Sequence, residues 1–235
     1  MIGNDLIGVN RGNVLIHREG NIGGSRSVFV GLKGIKNELV FFPFGGAIKN
    51  PFKGTAKLYA GDLMEYRTNE NGVKREHYIL KTYLSEKISE TTLTLVKDGY
   101  KHIPFIGDKI GVAPSKIGEA VTQYGTITGV KVVKVSGVEY FECTLDKTFT
   151  TTKGDVLVEV DTDNKMMVKN INGVCDCDLD MLYAPSTGDS DFDNARYHYV
   201  PAMSGTMYIN RMSPLPKCVL DLNKSNVNGW FKVEF

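Results

Sequence analysis

The residues best equipped for chemistry in this chain are scattered, and their spacing decides what each could do. Four histidines, His17, His77, His102 and His198, could carry protons or hold a metal if they were partnered. None stands in H-E-x-x-H, the helical spacing that brings two imidazoles to one ion. Cys175 and Cys177 are spaced C-x-C rather than C-x-x-C, and Cys143 and Cys218 lie far from them, so neither a zinc knuckle nor a disulfide framework follows. Ser204 precedes Gly205 outside any G-x-S-x-G elbow that would expose and activate it. Gly20, Gly23 and Gly24 lack the spacing and the following helix of a phosphate cradle. The carboxylates form no pair whose surroundings would drive two pKa values apart. No catalytic residue and no cofactor is assigned, and a non-enzymatic role is expected.

One acidic cluster has the right beginning for a hard cation. Asp189, Asp191 and Asp193 spell D-x-D-x-D, as a calcium loop does. The sixth position is Asn194 where glycine is needed, and the twelfth is Val200 where a bidentate glutamate is needed. The EF-hand reading fails. A different calcium site at Asp189, Asp191 and Asp193 stands against the plainer reading, an acidic solvated turn. Asn223-Lys224-Ser225 matches a glycosylation acceptor, which has meaning only in a secreted chain. Met1 to Leu6 shows neither a basic nor an apolar leader region, and no apolar run approaches a membrane span. Synthesis in a cytosol without membrane insertion is the expectation.

Composition describes the scaffold that must position these residues. Val, Ile and Thr together number 55 of 235 residues, Gly 25 and Ala only 8. Alanine is the best helix former, while β-branched residues pack well on a pleated surface. The chain is therefore expected to be mainly β: a small antiparallel barrel or sandwich body, an irregular N-terminal arm and C-terminal tail, and little helix. The 28 basic and 27 acidic residues nearly cancel. That balance argues against a nucleic-acid binder, which usually carries a basic excess, and against disorder.

The body is the clearest part. Short runs at Leu93–Val96, Ile110–Val112, Val121–Ile127, Val130–Val135, Val138–Leu145 and Val156–Val160 alternate with turn signals. Ser136-Gly137 is a two-residue hairpin candidate, and Pro114 stops the run before it. Two further strand-like runs, Thr55–Tyr66 and Val73–Leu84, flank an Asn71-Gly72 turn, and Ser85–Thr92 is expected to form a helical turn. In Cys175–Leu182 a period of two puts cysteine, leucine and methionine on one face and aspartate on the other, the pattern of a half-buried strand. Pro201, Pro214 and Pro216 argue against helix in the tail. Three regions follow: 1–54, a glycine-rich arm with an aromatic cluster; 55–163, the β body; and 164–235, a strand-loop region ending in a docking tail.

Within 95–160 the residues Lys97-Asp98-Gly99-Tyr100-Lys101-His102-Ile103-Pro104, then Gly107-Asp108 and Val112-Ala113-Pro114, form one set of motifs. Thr126-Ile127-Thr128-Gly129-Val130 and Gly154-Asp155-Val156-Leu157-Val158-Glu159 extend it. This third of the chain resembles small β-domains of tailed-phage virion proteins: head-decoration, auxiliary-capsid and head-fibre components, especially of phages infecting Bacteroidales. The resemblance implies a non-enzymatic virion subunit, made in the host cytoplasm, that binds the major capsid protein and other virion proteins and possesses no catalytic residues. It leaves room for a homo-oligomer such as a trimer, for a neck, ring or fibre position, and, in another class, for a carbohydrate- or calcium-binding module. A balanced surface suits docking outside the shell rather than lining packaged DNA. Assembly interfaces favour aromatic and methionine anchors. The candidates are Phe41, Phe42, Phe44, Tyr197, Tyr199, Met203, Met207, Tyr208, Trp230 and Phe235, each of which could equally be core.

Overall fold

A computed structural model describes residues 15–16, 26–27, 46–50, 57–59, 61–68, 75–89, 91–97, 102–175, 179–180, 198–199, 205–208, 212–225 and 231–234. These residues form strands β1 (Leu15–Ile16), β2 (Arg26–Ser27), β3 (Gly46–Ile48), β4 (Lys57–Leu58), β5 (Leu63–Thr68) and β6 (Arg75–Ile79). Then come β7 (Thr82–Ser89), β8 (Thr92–Val96), β9 (Lys109–Val112), β10 (Tyr124–Val135), β11 (Val138–Leu145) and β12 (Val156–Glu159). The last elements are β13 (Gly173–Val174), β14 (Leu179–Asp180), β15 (His198–Tyr199), β16 (Gly205–Tyr208), the helix α1 (Lys217–Ser225) and β17 (Phe231–Glu234). The protein is mainly β, as its alanine-poor, valine-rich composition requires.

Two compact units divide the chain, one drawn from 1–79, 170–212 and 226–235, the other from Leu80–Lys169 and Ser213–Ser225. The boundaries expected at 54/55 and 163/164 differ from this division. Five consecutive buried residues, Ile79 to Tyr83, interrupt the period of two expected of a single run from Val73 to Leu84.

The second unit is a ring of six antiparallel strands in the order β10-β11-β8-β7-β12-β9, with β9 returning to β10. Two strands close it by changing partners along their length, so that two ladders face each other like a sandwich. Strand β10 pairs with β9 over Tyr124–Thr126 and with β11 from Ile127 to Val135, the change falling at an irregularity between Ile127 and Gly129. Strand β7 pairs with β12 over Thr82–Leu84 and then with β8, with a bulge between Ser85 and Lys87. Bulges bend a strand and raise its twist, which is what turning a corner between ladders demands. The expected runs Val121–Ile127 and Val130–Val135 are thus joined in one bent strand. At Gly111 an added Cβ would lie 2.5 Å from the Gln123 carbonyl oxygen, so only glycine admits this approach of β9 to the start of β10.

Tyr83, Leu93, Leu95, Ile110, Ile127, Phe141, Cys143, Leu145, Phe149 and Leu157 form the core of the ring. Cys143 packs there as a small hydrophobe, and burial pushes its thiol up to about 12. Ser85–Thr92 is not a helical turn. It is the end of β7 and the start of β8, where Leu93 and Leu95 alternate with half-buried neighbours and face the core. Pro216 does not exclude helix either. Its carbonyl accepts the Val219 and Leu220 amides, and α1 starts directly after it, where a missing N–H has no cost.

The first unit contains a sheet in the order β13-β5-β6-β3-β15. Strands β5 and β6 form the expected antiparallel pair from Met64 opposite Ile79 to Thr68 opposite Arg75; the Asn71-Gly72 turn lies outside the described residues. Asparagine side chains complete two strand edges. Asn172 accepts the Tyr66 amide at 2.6 Å and donates to the Tyr66 carbonyl at 3.1 Å. Asn50 does the same for Ile79, at 2.6 and 2.8 Å. Each satisfies backbone groups that a further strand would otherwise pair. The single strand expected over Cys175–Leu182 is corrected: β13 ends at Val174 beside β5, whereas β14 pairs with β4. The chain's last strand, β17, runs parallel to β16.

Candidate interaction surface

Every aromatic or methionine anchor proposed from sequence falls where side chains are not described. Phe41, Phe42, Phe44, Tyr197, Met203, Trp230 and Phe235 lie outside the described residues, as do Asp189, Asp191, Asp193, Cys177 and His17. Tyr199, Met207 and Tyr208 are placed only as backbone, in β15 and β16. Among the described residues no three His, Cys, Asp or Glu side chains gather as metal ligands.

Two histidines are placed in detail, and both are packed. In the first unit, buried His77 lies 5.0 Å from the Tyr66 ring, and its carbonyl accepts the Lys49 amide. In the second unit, His102 Nδ1 accepts the Thr82 backbone N–H at 2.8 Å, and its Nε2 lies 3.2 Å from Ser213 Oγ. This resembles a serine–histidine dyad in composition only. With Nδ1 occupied as an acceptor, the hydrogen-bond pattern assigns the proton of the neutral ring to Nε2, which donates to Ser213. A general base needs the opposite tautomer, with a bare nitrogen facing the hydroxyl. The pair therefore works as a clamp that ties the segment before α1 to the ring. Beside it, Lys81 and Glu159 form an ion pair at 3.1 Å with side chains only 4% and 12% exposed.

The surface that stands out is the β10–β11 hairpin. Ser136 and Gly137 both have positive φ, 49° and 85°, the geometry of a type I′ turn that matches strand twist. Strand β8 covers β11 only from Tyr140 to Thr144, and β9 covers β10 only through Thr126. Toward the turn the two strands pair, among the described residues, with each other alone. Directly opposed residues share a face, so the register sorts the side chains. One face carries Val130 beside Cys143 and Val132 beside Phe141 and runs into the core. The other carries Lys131 beside Glu142, Val133 beside Tyr140 and Val135 beside Val138, and Tyr140 is in turn opposite Val96.

That second face is an apolar strip on the outside of the ring. Val135 is 57% exposed and Val138 50%, and on the core-side face Val132 reaches 51% where the hairpin outruns the core. Lys131 pairs with Glu142 at 2.6 Å at the end of the strip, while Lys97 pairs with Glu139 on the core-side face. The Lys97 hydrogen bond and charge hold the Glu139 carboxyl below its usual value. Backbone groups along β10 beyond Gly129 form an open edge, with no strand paired on the side away from β11 among the described residues. Valine was visible in the sequence here; its exposure was not, because alternation alone does not reveal where a partner strand stops.

The ring is closed elsewhere by capped turns. Asp146 accepts the Thr126 amide at 2.7 Å, and that bond lowers its carboxyl pKa. Burial raises Asp155 and Asp161, but their hydrogen bonds from Thr152 and Thr151, and from Lys165 and Asp163, prevail and leave both lowered. These carboxylates serve as turn caps rather than as acids or bases. Compared with family models, curated proteins and solved structures, the chain matches none.

Proposed function

We propose that the chain is a non-enzymatic structural subunit of a tailed-phage virion, an auxiliary or decoration protein that binds the major capsid protein and stabilises the head. The observation that carries this reading is the β10–β11 hairpin, which holds Val133, Val135, Val138 and Tyr140 on one outward face next to an open strand edge. Apolar surface of this kind, bordered by charge, marks protein–protein contact. A decoration subunit needs such a surface on a rigid body, and the six-stranded ring supplies one. The stretch of resemblance, 95–160, spans four of the six ring strands, the two of this hairpin among them.

Quantitative mass spectrometry of purified phage particles from the source lysate tests the proposal. Many copies per particle, released together with loss of capsid stability, are expected. Absence from the particle overturns it. A copy number matching one symmetric ring or spike moves the chain from the shell to a neck or fibre position.

A further inference from the structure

We infer that Asn172-Gly173 is a modification site, a deamidation point that the edge of β5 holds in check and whose product no longer lets β13 close. The inference is independent of the docking role proposed above and concerns the first unit alone. Asparagine followed by glycine is the pair most prone to this reaction, because the attacking backbone nitrogen has no Cβ beside it. The Gly173 nitrogen forms a bond to Asn172 Cγ and gives up its proton. The Cγ–Nδ2 bond breaks, and Nδ2 leaves with that proton as ammonia. Water then opens the resulting succinimide at either carbonyl, giving aspartate or isoaspartate. In the closed sheet the carboxamide is held on both sides: Oδ1 accepts the Tyr66 amide at 2.6 Å, and Nδ2 donates to the Tyr66 carbonyl at 3.1 Å. The Asn172 amide also donates to the Met64 carbonyl at 3.2 Å, fixing the main chain at the reacting junction. To meet the Gly173 nitrogen the carboxamide must turn away from both Tyr66 groups. The reaction therefore runs through states in which β13 has opened locally from β5.

The product acts on the ladder that follows. Gly173 lies opposite Met64 and Val174 opposite Leu63. Beyond them the Cys175 amide donates to the Asp62 carbonyl at 2.8 Å, and its carbonyl accepts the Gly61 amide at 2.7 Å. Val174 and Cys175 are both 0% exposed. Isoaspartate carries the main chain through Cγ, so an extra carbon stands before these pairs and throws them out of register with β5. Aspartate keeps the chain length but has no Nδ2 donor, and it sets a carboxylate oxygen against the Tyr66 carbonyl it once bonded. Either product favours the opened edge, and the isoaspartate does so more strongly. The Cys175 thiol, sealed in the parent sheet, then becomes reachable from solvent.

The test incubates the full chain in mildly alkaline buffer, folded and in guanidinium chloride. The folded sample is then labelled briefly with a maleimide, and both are digested with trypsin and sequenced by mass spectrometry. Asn172 and Cys175 share the tryptic peptide 170–196, so both changes are read on one molecule. Conversion at Asn172 is expected in both samples, at least about tenfold slower in the folded one, as a reaction gated by local opening requires. Within the folded sample, the maleimide should mark Cys175 more often on peptides that carry the modification than on those that do not. Asn172→Gln has a side chain too long to close the same ring, and Gly173→Ala keeps the Asn172 clamp while crowding the attacking nitrogen. The slow rise in Cys175 labelling should be lost in the first and slowed in the second. No conversion in the folded chain, equal rates in the two samples, or equal Cys175 labelling on modified and unmodified peptides overturns the inference. Labelling that rises at the parent's rate in both variants overturns it too. A variant that fails to fold labels Cys175 from the start, and the paired readout on the parent's own peptide decides without it.

Discussion

Strand β10 begins inside the ring and ends outside it, and the two halves make an instructive pair. From Tyr124 to Val130, Gly125 and Ile127 are buried, and the strand pairs first with β9, through Thr126, and then with β11, from Ile127. From Lys131 to Val135 no residue is fully buried, and β11 is the only strand paired with it among the described residues. Both halves are rich in β-branched residues, so propensity cannot distinguish them. What differs is the number of strands that reach each half. A valine contributes to folding only where another layer removes it from water; past that limit it contributes to whatever binds next.

The comparison is sharpened most by disturbing the closed half. Lys81 and Glu159 form a nearly buried ion pair where β7 meets β12. Lys81→Met leaves the Glu159 charge buried without its partner, at a cost of about 3–5 kcal/mol. Adding Glu159→Leu should restore much of it, because an apolar pair removes the stranded charge. Urea unfolding read by amide exchange in β8 and β11 measures both. Leu95→Ala, which empties a site 1% exposed in the ring core, should cost about 2–5 kcal/mol by the same readout. His102→Leu leaves the Thr82 amide unsatisfied and should cost about 1–3 kcal/mol, with exchange at Thr82 accelerated first. A negligible effect of all three would show that the ring is not what stabilises this unit.

Much of the ring was legible in advance, for identifiable reasons. Leu93–Val96, Val138–Leu145 and Val156–Val160 are short runs rich in apolar and β-branched residues and set off by turn signals, and the structure places β8, β11 and β12 there within a residue. The Ser136-Gly137 turn was legible because two positive φ angles favour such a pair. The Ser85–Thr92 strand was missed because the bulge after Ser85 breaks the period of two. The helix α1 was missed because prolines were read as breakers, although Pro216 stands where a helix begins. The interaction surface was legible as strand but not as surface. Exposure of Val135 and Val138 depends on β8 ending at Val96 and on β9 beginning only at Lys109, opposite Thr126, and no property of the valines themselves records that. The packing of His102 against Ser213 spans 111 positions and has no local signal.

A milder perturbation is acid. Asp146, Asp155 and Asp161 have carboxyl pKa values lowered in the folded state by the amides they cap. A depressed folded value means that the group favours the folded state once pH exceeds the unfolded value, about 3.9 for aspartate. The contribution is lost as pH falls from there through the folded values. Stability of the second unit should therefore be flat from neutral pH down to about pH 5 and decline below pH 4. Asp146→Asn should make that decline shallower. Because Asp146 is largely exposed and screened by solvent, the change should be small beside the core substitutions. An unchanged acid limb in the variant would remove the cap at Thr126 from the account of ring closure.

The smallest effect on stability should come from the open half of β10, and it is the sharpest form of the comparison. Val135→Ser with Val138→Ser removes two exposed methyl-bearing side chains from the hairpin tip, where they are opposed only to each other. Surface substitutions of this kind usually stay within about 0.5 kcal/mol of neutral. The positive-φ turn at Ser136-Gly137 is untouched, so the register is preserved. If the strip exists to bind, the same double variant should lose recruitment to phage particles while its unfolding curve overlays the parent's. The two measurements separate the explanations of an apolar tip. A valine pair kept for hairpin stability would shift the unfolding midpoint and leave recruitment intact. A valine pair kept for docking does the opposite, because its burial is completed only in the complex.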